Sequence, residues 1–215
     1  HPIGAVLAIM PWNFPLWQVF RFAAPSLMAG NVGLLKHAHN VTKCSLLIEQ
    51  VFREAGFPEG VFQSLIIETD AIGKILEEDI VQAATLTGSE KAGASVASIA
   101  GKNIKKTVLE LGGSDPFIVL EDADMVKTAK IAVQSRMQNA GQSCIAAKRF
   151  IVVERIKDEF LQHFLKNIAA LKQGNPFAED TTMGPMAKLD LAESLDKQLH
   201  ASVAKGAKIL RGGTR

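Results

Sequence analysis

The sequence predicts an α/β protein: a doubly wound, parallel, Rossmann-like sheet followed by part of a second α/β domain. Three observations carry that reading. Apolar runs of strand length alternate with longer segments of helical periodicity from residue 3 to residue 111. The runs are apolar throughout rather than alternating, as in strands covered on both faces. Glycine closes the helical segments at Gly30 and Gly56, where a left-handed residue ends a helix cheaply.

Residues 3–10 (Ile-Gly-Ala-Val-Leu-Ala-Ile-Met) are the first buried strand. Residues 16–30 follow as a helix, with Phe20, Ala23, Ala24 and Leu27 at helical spacing. A short strand over 32–36 leads into a helix over 42–55, then a strand over 61–67 and a helix over 71–78. Residues 80–86 are a strand, 89–100 a helix and 106–111 a strand. Such alternation implies right-handed crossovers and a parallel sheet, whose ligands sit at the carboxyl ends of strands. Asn13, Lys36, Gly88 and Glu110 all fall at such ends, so they are expected on one rim. From Pro116 the pattern restarts: strand 117–120, helix 124–138 and strand 149–153. An amphipathic helix over 157–171 follows, with Phe160, Phe164, Ile168 and Leu171 on one stripe, then a helix over 189–205 and a last strand over 208–210. A boundary near Gly113 divides a cofactor domain, 1–113, from part of a catalytic domain, 114–215.

Composition narrows the function classes. The 215 residues are 47% hydrophobic and 21% charged, ordinary globular material for one large or two modest domains. The formal net charge is +2 with both signs scattered, so no basic face for nucleic acid is expected. Cys44 and Cys144 are too few and too far apart for a disulfide framework, and a reducing, cytoplasmic setting is the expectation. Apolar stretches are broken by Asn13, Arg21, Asn31 or Lys36 before reaching membrane-spanning length. No signal-peptide pattern opens the chain. No His/Cys/Asp cluster has metal-ligand spacing.

Cys144 closes Asn139-Ala140-Gly141-Gln142-Ser143-Cys144, where small neighbours let a substrate reach the sulfur and backbone N–H groups can face a developing charge. Taken alone, a buried inert thiol is an equally good reading, and for Cys44, beside Leu46, Leu47 and Ile48, it is the better one. Asn13 lies in Pro11-Trp12-Asn13-Phe14-Pro15, whose prolines stiffen the loop; its plainer role is to bond its own turn. Glu110 ends a strand before two glycines. Partly buried, it could activate a water; its plainer role is a solvated charge. Gly88 and Ser89 open a helix, where N–H groups make an anion site, although serine is also the ordinary cap. Lys36 by itself reads as a solvent-exposed lysine.

Together, Pro11-Trp12-Asn13-Phe14-Pro15, Thr87-Gly88-Ser89, Glu110-Leu111-Gly112-Gly113 and the Cys144 segment resemble the NAD(P)-dependent aldehyde dehydrogenase superfamily. The stretches Gly141 to Cys144 and Glu110 to Phe117 are most similar to its succinate-semialdehyde branch. The resemblance covers nearly all of this chain but only the middle of the family, so a central fragment is expected. It implies that Cys144 is the nucleophile forming a thiohemiacetal and then a thioester. Asn13 and the Cys144 N–H would hold the oxyanion, and Glu110 would activate the hydrolytic water. It implies NAD or NADP as cofactor, bound by Ile9, Met10, Pro11, Trp12, Lys36, His39, Gly88, Ser89, Leu111 and Gly112. It also implies an aldehyde substrate and, for the full-length parent, a homo-oligomer, dimer or tetramer. Glu110 argues against acyl transfer to coenzyme A. The family's later Glu-x-Phe-Gly-Pro segment is not in this chain, so a dinucleotide-binding module without turnover is the rival of another class.

Two departures carry information. Three positions after the lysine the family often has a Glu bonding both ribose hydroxyls; here Lys36-His37-Ala38-His39 places His39 there. A carboxylate would repel a 2′-phosphate and an imidazole would not, so NADP is expected to be tolerated or preferred. In Glu68-Thr69-Asp70-Ala71-Ile72-Gly73 a glycine usual on the pyrophosphate side is missing.

Overall fold

A computed structural model describes residues 1–214. They form two compact units, His1–Gly112 and Gly113 onward.

In the first unit β1 (Ala5–Met10), β2 (Val32–His37), β3 (Phe62–Ser64), β4 (Val81–Thr87) and β5 (Lys106–Glu110) form a sheet in the order β3-β2-β1-β4-β5, with every pairing parallel. The helices are α1 (Trp17–Met28), α2 (Thr42–Glu54), α3 (Ala71–Glu77) and α4 (Glu90–Lys102). β1 lies mid-sheet, and successive side chains point to opposite faces. Ala8 and Met10 therefore join Val19, Ala23, Leu35, Ile48, Phe52 and Phe62 beneath α1 and α2. Leu7 joins Ile72, Leu76, Val81, Leu86 and Val96 on the face of α3 and α4. This double burial is the cause of the unbroken apolar run. Leu7, Leu35, Leu76 and Leu86 are fully buried, each stabilising the fold by roughly 1.5–3 kcal/mol.

Two boundaries differ from expectation for identifiable reasons. β3 is an edge strand that stops at Ser64 rather than residue 67, its last ladder bond running from Leu65 N to Leu35 O at 2.8 Å. β2 gains His37, which pairs with Met10. On the α1 side, β4 and β5 carry no helix of this unit. A cavity of about 530 Å³ opens there, and Val108 is 62% exposed.

In the second unit β6 (Asp115–Val119) and β7 (Ala147–Val152) form a two-stranded parallel sheet. Val119 packs with Met125, Ala129, Ala132 and Phe160 from α5 (Met125–Met137) and α6 (Lys157–Ala169). Phe150 contacts Phe164 with ring centroids 4.9 Å apart, so the aromatic part of the stripe read from the sequence faces the core, with Phe160 buried and Phe164 half-buried. α7 (Leu189–Ala204) follows, with none of its residues fully buried. The strand expected over 208–210 is absent: those residues are irregular and exposed, with no neighbouring strand to complete a ladder.

Candidate active site

Strand register aligns the rim of the first unit. Ile9 pairs with Lys36, Met10 with His37, and Thr87 with Glu110. Gly88 N donates to Glu110 O at 2.9 Å. The ends of four neighbouring strands thus lie level, bringing Lys36, Gly88 and Glu110 to one edge of the sheet. Asn13 belongs to the loop between β1 and α1 on the same edge, half-buried with Pro11, Trp12 and Phe14.

Glu110 is open, its side chain 55% exposed, in line with the solvated of its two readings rather than the partly buried one. It lies 3.8 Å from Arg21, which also donates from Nη2 to Thr87 Oγ1 at 3.2 Å. β5 is the edge strand of this sheet, with no helix of this unit on that face, which leaves the carboxylate open within the unit. Arg21 entered the sequence reading only as a charge interrupting an apolar stretch. Its position, about one turn into α1, is the signal that the helix carries it back over the rim.

Lys36 is buried, so the solvent-exposed reading fails. Burial lowers its pKa below the ordinary lysine value, and the nearby Glu68 carboxylate opposes that shift. Glu68 also lies 3.6 Å from His39 Nε2, with both side chains largely exposed.

The α4 end fits a dinucleotide. Ser89 caps the helix, its Oγ accepting from Ala92 N at 3.2 Å, so the plain capping role is real. The helix nonetheless presents an N-terminus suited to an anion. At Gly88 a Cβ would meet only Leu86 Cδ2, at 3.5 Å, and at Gly112 nothing within 4 Å. The chain's own packing demands glycine at neither place, leaving open backbone along the rim. Gly93 is different: a Cβ there would sit 2.7 Å from Leu111 Cδ2, so glycine lets α4 close on the end of β5.

In the second unit the Cys144 segment follows α5 and is held in an unusual backbone. Asn139 (φ 52°), Ala140 (φ 54°) and Gly141 (φ 77°) are consecutively left-handed, at a cost of about 1–2 kcal/mol for each non-glycine. Lys148 Nζ, which the sequence did not single out, donates to Ser143 O (3.1 Å), Cys144 O (2.9 Å) and Ala146 O (3.2 Å). One ammonium thus ties three carbonyls of the turn, and Cys144 is half-buried. Gly141→Ala is expected to destabilise this unit by about 1–3 kcal/mol and to slow alkylation of Cys144. The added Cβ would carry a left-handed φ and meet Arg136 Nη2 at 3.0 Å. Thermal unfolding and the rate of iodoacetamide labelling check both parts.

Cys44, on α2, is also half-buried and takes no part in the rim. Among the described residues no group of three or more His, Cys, Asp or Glu is placed to hold a metal ion. No helix among them is long and apolar enough to cross a membrane.

Comparison with known proteins accounts for this arrangement. The aldehyde dehydrogenase family profile matches residues 1–215. A protein of Synechocystis sp., named a probable succinate-semialdehyde dehydrogenase (NADP+), is 58% identical over 213 residues, 99% of this chain and 47% of that protein. The succinate-semialdehyde dehydrogenase (NADP+) 1 of Mycobacterium bovis is 55% identical over 215 residues, 100% of this chain and 47% of its own length. A crystal structure of succinic semialdehyde dehydrogenase from Streptococcus pyogenes in complex with NADP+ superimposes with a TM-score of 0.97 at 38% identity, covering 100% of this chain and 47% of that one. The chain therefore spans about half the length of the relatives it matches. With the family profile matched from end to end, and with the Synechocystis and Mycobacterium relatives at more than half identity, the chain belongs to the aldehyde dehydrogenase family.

Proposed function

We propose that the polypeptide to which these residues belong oxidises succinate semialdehyde, or a similar small semialdehyde, to the carboxylic acid with NADP+. The observation that carries the substrate reading is the 58% identity, over 99% of this chain, with a relative named for that reaction. In this reading residues 1–113 are the cofactor domain and 114–215 part of the catalytic domain. The Cys144 thiolate attacks the aldehyde carbon, and the Asn13 amide with the Cys144 N–H holds the oxyanion of the thiohemiacetal. Glu110 then takes a proton from the water that hydrolyses the thioester. Gly88 and Ser89 would hold the pyrophosphate and Lys36 and His39 the adenosine ribose with its 2′-phosphate. Ile9, Met10, Pro11, Trp12, Leu111 and Gly112 complete the cofactor's surroundings. Bound NADP+ supplies the hydride acceptor. The scattered charge and the few cysteines support a cytoplasmic protein acting without nucleic acid or membrane, and the family resemblance supports a homo-oligomer for the full-length parent.

The test is NADPH formation from succinate semialdehyde by the full-length enzyme, with NAD+ and other aldehydes in parallel. Turnover favouring NADP+ and the semialdehyde supports the reading. Inactivity with every aldehyde and both cofactors would leave the dinucleotide-binding role without turnover.

Lys36 gives a second test. Lys36→Met is expected to weaken NADP+ binding about 10- to 100-fold, as for loss of a charge-assisted bond, and NAD+ binding less. Because burial lowers its pKa, Lys36 sheds its proton at a lower pH than an ordinary lysine. Wild-type affinity for NADP+ should thus fall on the alkaline side before ordinary lysines titrate, and Lys36→Met should lose that limb. The linked stability effect has the opposite sense. Burying charged Lys36 costs stability below its lowered pKa, and the cost fades as pH rises toward the ordinary lysine value. Calorimetric titration across pH reads the binding limb directly.

A further inference from the structure

We propose that His37 is a positioning residue for the reaction: it pins the loop that carries Asn13. The inference rests on the oxyanion role proposed above for Asn13.

His37 ends β2 and is buried, 6% exposed. Its Nδ1 lies 3.1 Å from Met10 O and accepts from Ala38 N at 3.0 Å, while its Nε2 lies 2.9 Å from Pro15 O. Ala38 N also donates to Met10 O at 3.1 Å. One arrangement of the ring satisfies this geometry: Nδ1 accepts from Ala38 N and Nε2–H donates to Pro15 O. The other neutral tautomer would set a bare Nε2 against the Pro15 oxygen and an N–H against the Ala38 N–H, leaving buried polar groups unpaired. Pro15 O therefore accepts from Nε2.

The ring touches both ends of the loop, Met10 where β1 stops and Pro15 just ahead of α1. Asn13 stands midway between these anchors, in a segment already stiffened by Pro11 and Pro15. An oxyanion donor works only when its hydrogen points where the charge will develop, and a displacement of about 1 Å can cost roughly 100-fold. The strand that carries Lys36 thus also braces the oxyanion loop through the next residue.

The experiment is a double-mutant cycle in the full-length enzyme, reading the single-turnover burst of NADPH, the NADP+ dissociation constant and thermal stability. His37→Asn removes the group at the Nε2 position, and His37→Gln keeps an amide donor there. Expected results are a burst slowed about tenfold by His37→Asn, largely restored in His37→Gln, with NADP+ affinity within about twofold of wild type. In an Asn13→Ala background His37→Asn should add little, since the donor it positions is gone. Equal slowing in both backgrounds, or no rescue by Gln, would overturn the positioning role while leaving Asn13 intact. A burst unaffected by Asn13→Ala would instead overturn the oxyanion reading on which this role depends. If His37→Asn does not fold, His37→Leu in the two backgrounds decides: a burst slowed by the substitution alone but not further slowed in Asn13→Ala supports the bracing role, and no slowing, or equal slowing in both, overturns it.

Discussion

Cys144→Ala is expected to abolish aldehyde oxidation by the full-length enzyme, lowering kcat/KM on the order of 10⁴-fold or more, while the protein folds and binds NADP+ as before. Loss of a covalent nucleophile removes the thiohemiacetal and thioester altogether, so nothing resembling the original path remains. The fold should tolerate the change because the bonds that shape this turn run through backbone carbonyls. Lys148 holds the oxygens of Ser143, Cys144 and Ala146, none of which depends on the thiol. Truncating the half-buried Cys144 also leaves only a small volume unfilled. Three measurements make the result specific: NADPH formation, NADP+ binding by calorimetry and thiol counting with iodoacetamide. Full activity in Cys144→Ala would remove Cys144 from the chemistry. Lost activity accompanied by lost cofactor binding or a collapsed thermal transition would point to structural damage instead. Cys44→Ala is the internal comparison and should leave turnover unchanged.

The sequence made the sheet legible because burial on both faces writes itself as unbroken apolar runs. Leu7 and Ala8 serve opposite faces of one strand, and no polar position interrupts them. The rim followed from the same logic, since parallel strands put their carboxyl ends together. Residues acting through tertiary contact were harder to read. Arg21 looked like an interruption of an apolar stretch, and only the path of α1 brings it to Glu110. His37 stood beside a residue already singled out, but its two carbonyl partners lie 22 and 27 positions away. Lys148 is an ordinary lysine in sequence, and three converging carbonyls exist only once the turn forms. The exposure of Glu110 was left between two readings for a related reason. Its strand is the sheet edge, and edge position depends on strand order rather than on local pattern.

Glu110→Gln should separate the two halves of the reaction. The first half needs the thiol, the oxyanion donors and the hydride acceptor; the second needs a base to draw a proton from water. The variant is therefore expected to release close to one equivalent of NADPH per site in a rapid burst, then to turn over about 10²- to 10⁴-fold more slowly than wild type, the usual contribution of a general base. Hydroxylamine, which attacks a thioester without a base, should restore much of the lost rate. An open carboxylate suits this division of labour: at 55% exposure Glu110 can exchange water freely, with Arg21 3.8 Å away. Quenched-flow NADPH measurements with and without hydroxylamine distinguish the outcomes. If burst and turnover fall together, Glu110 serves the first half, as the base that activates Cys144. If coenzyme A accelerates the wild type and acyl-CoA accumulates in place of acid, water is not the acceptor, and the open carboxylate at the end of β5 has some other task.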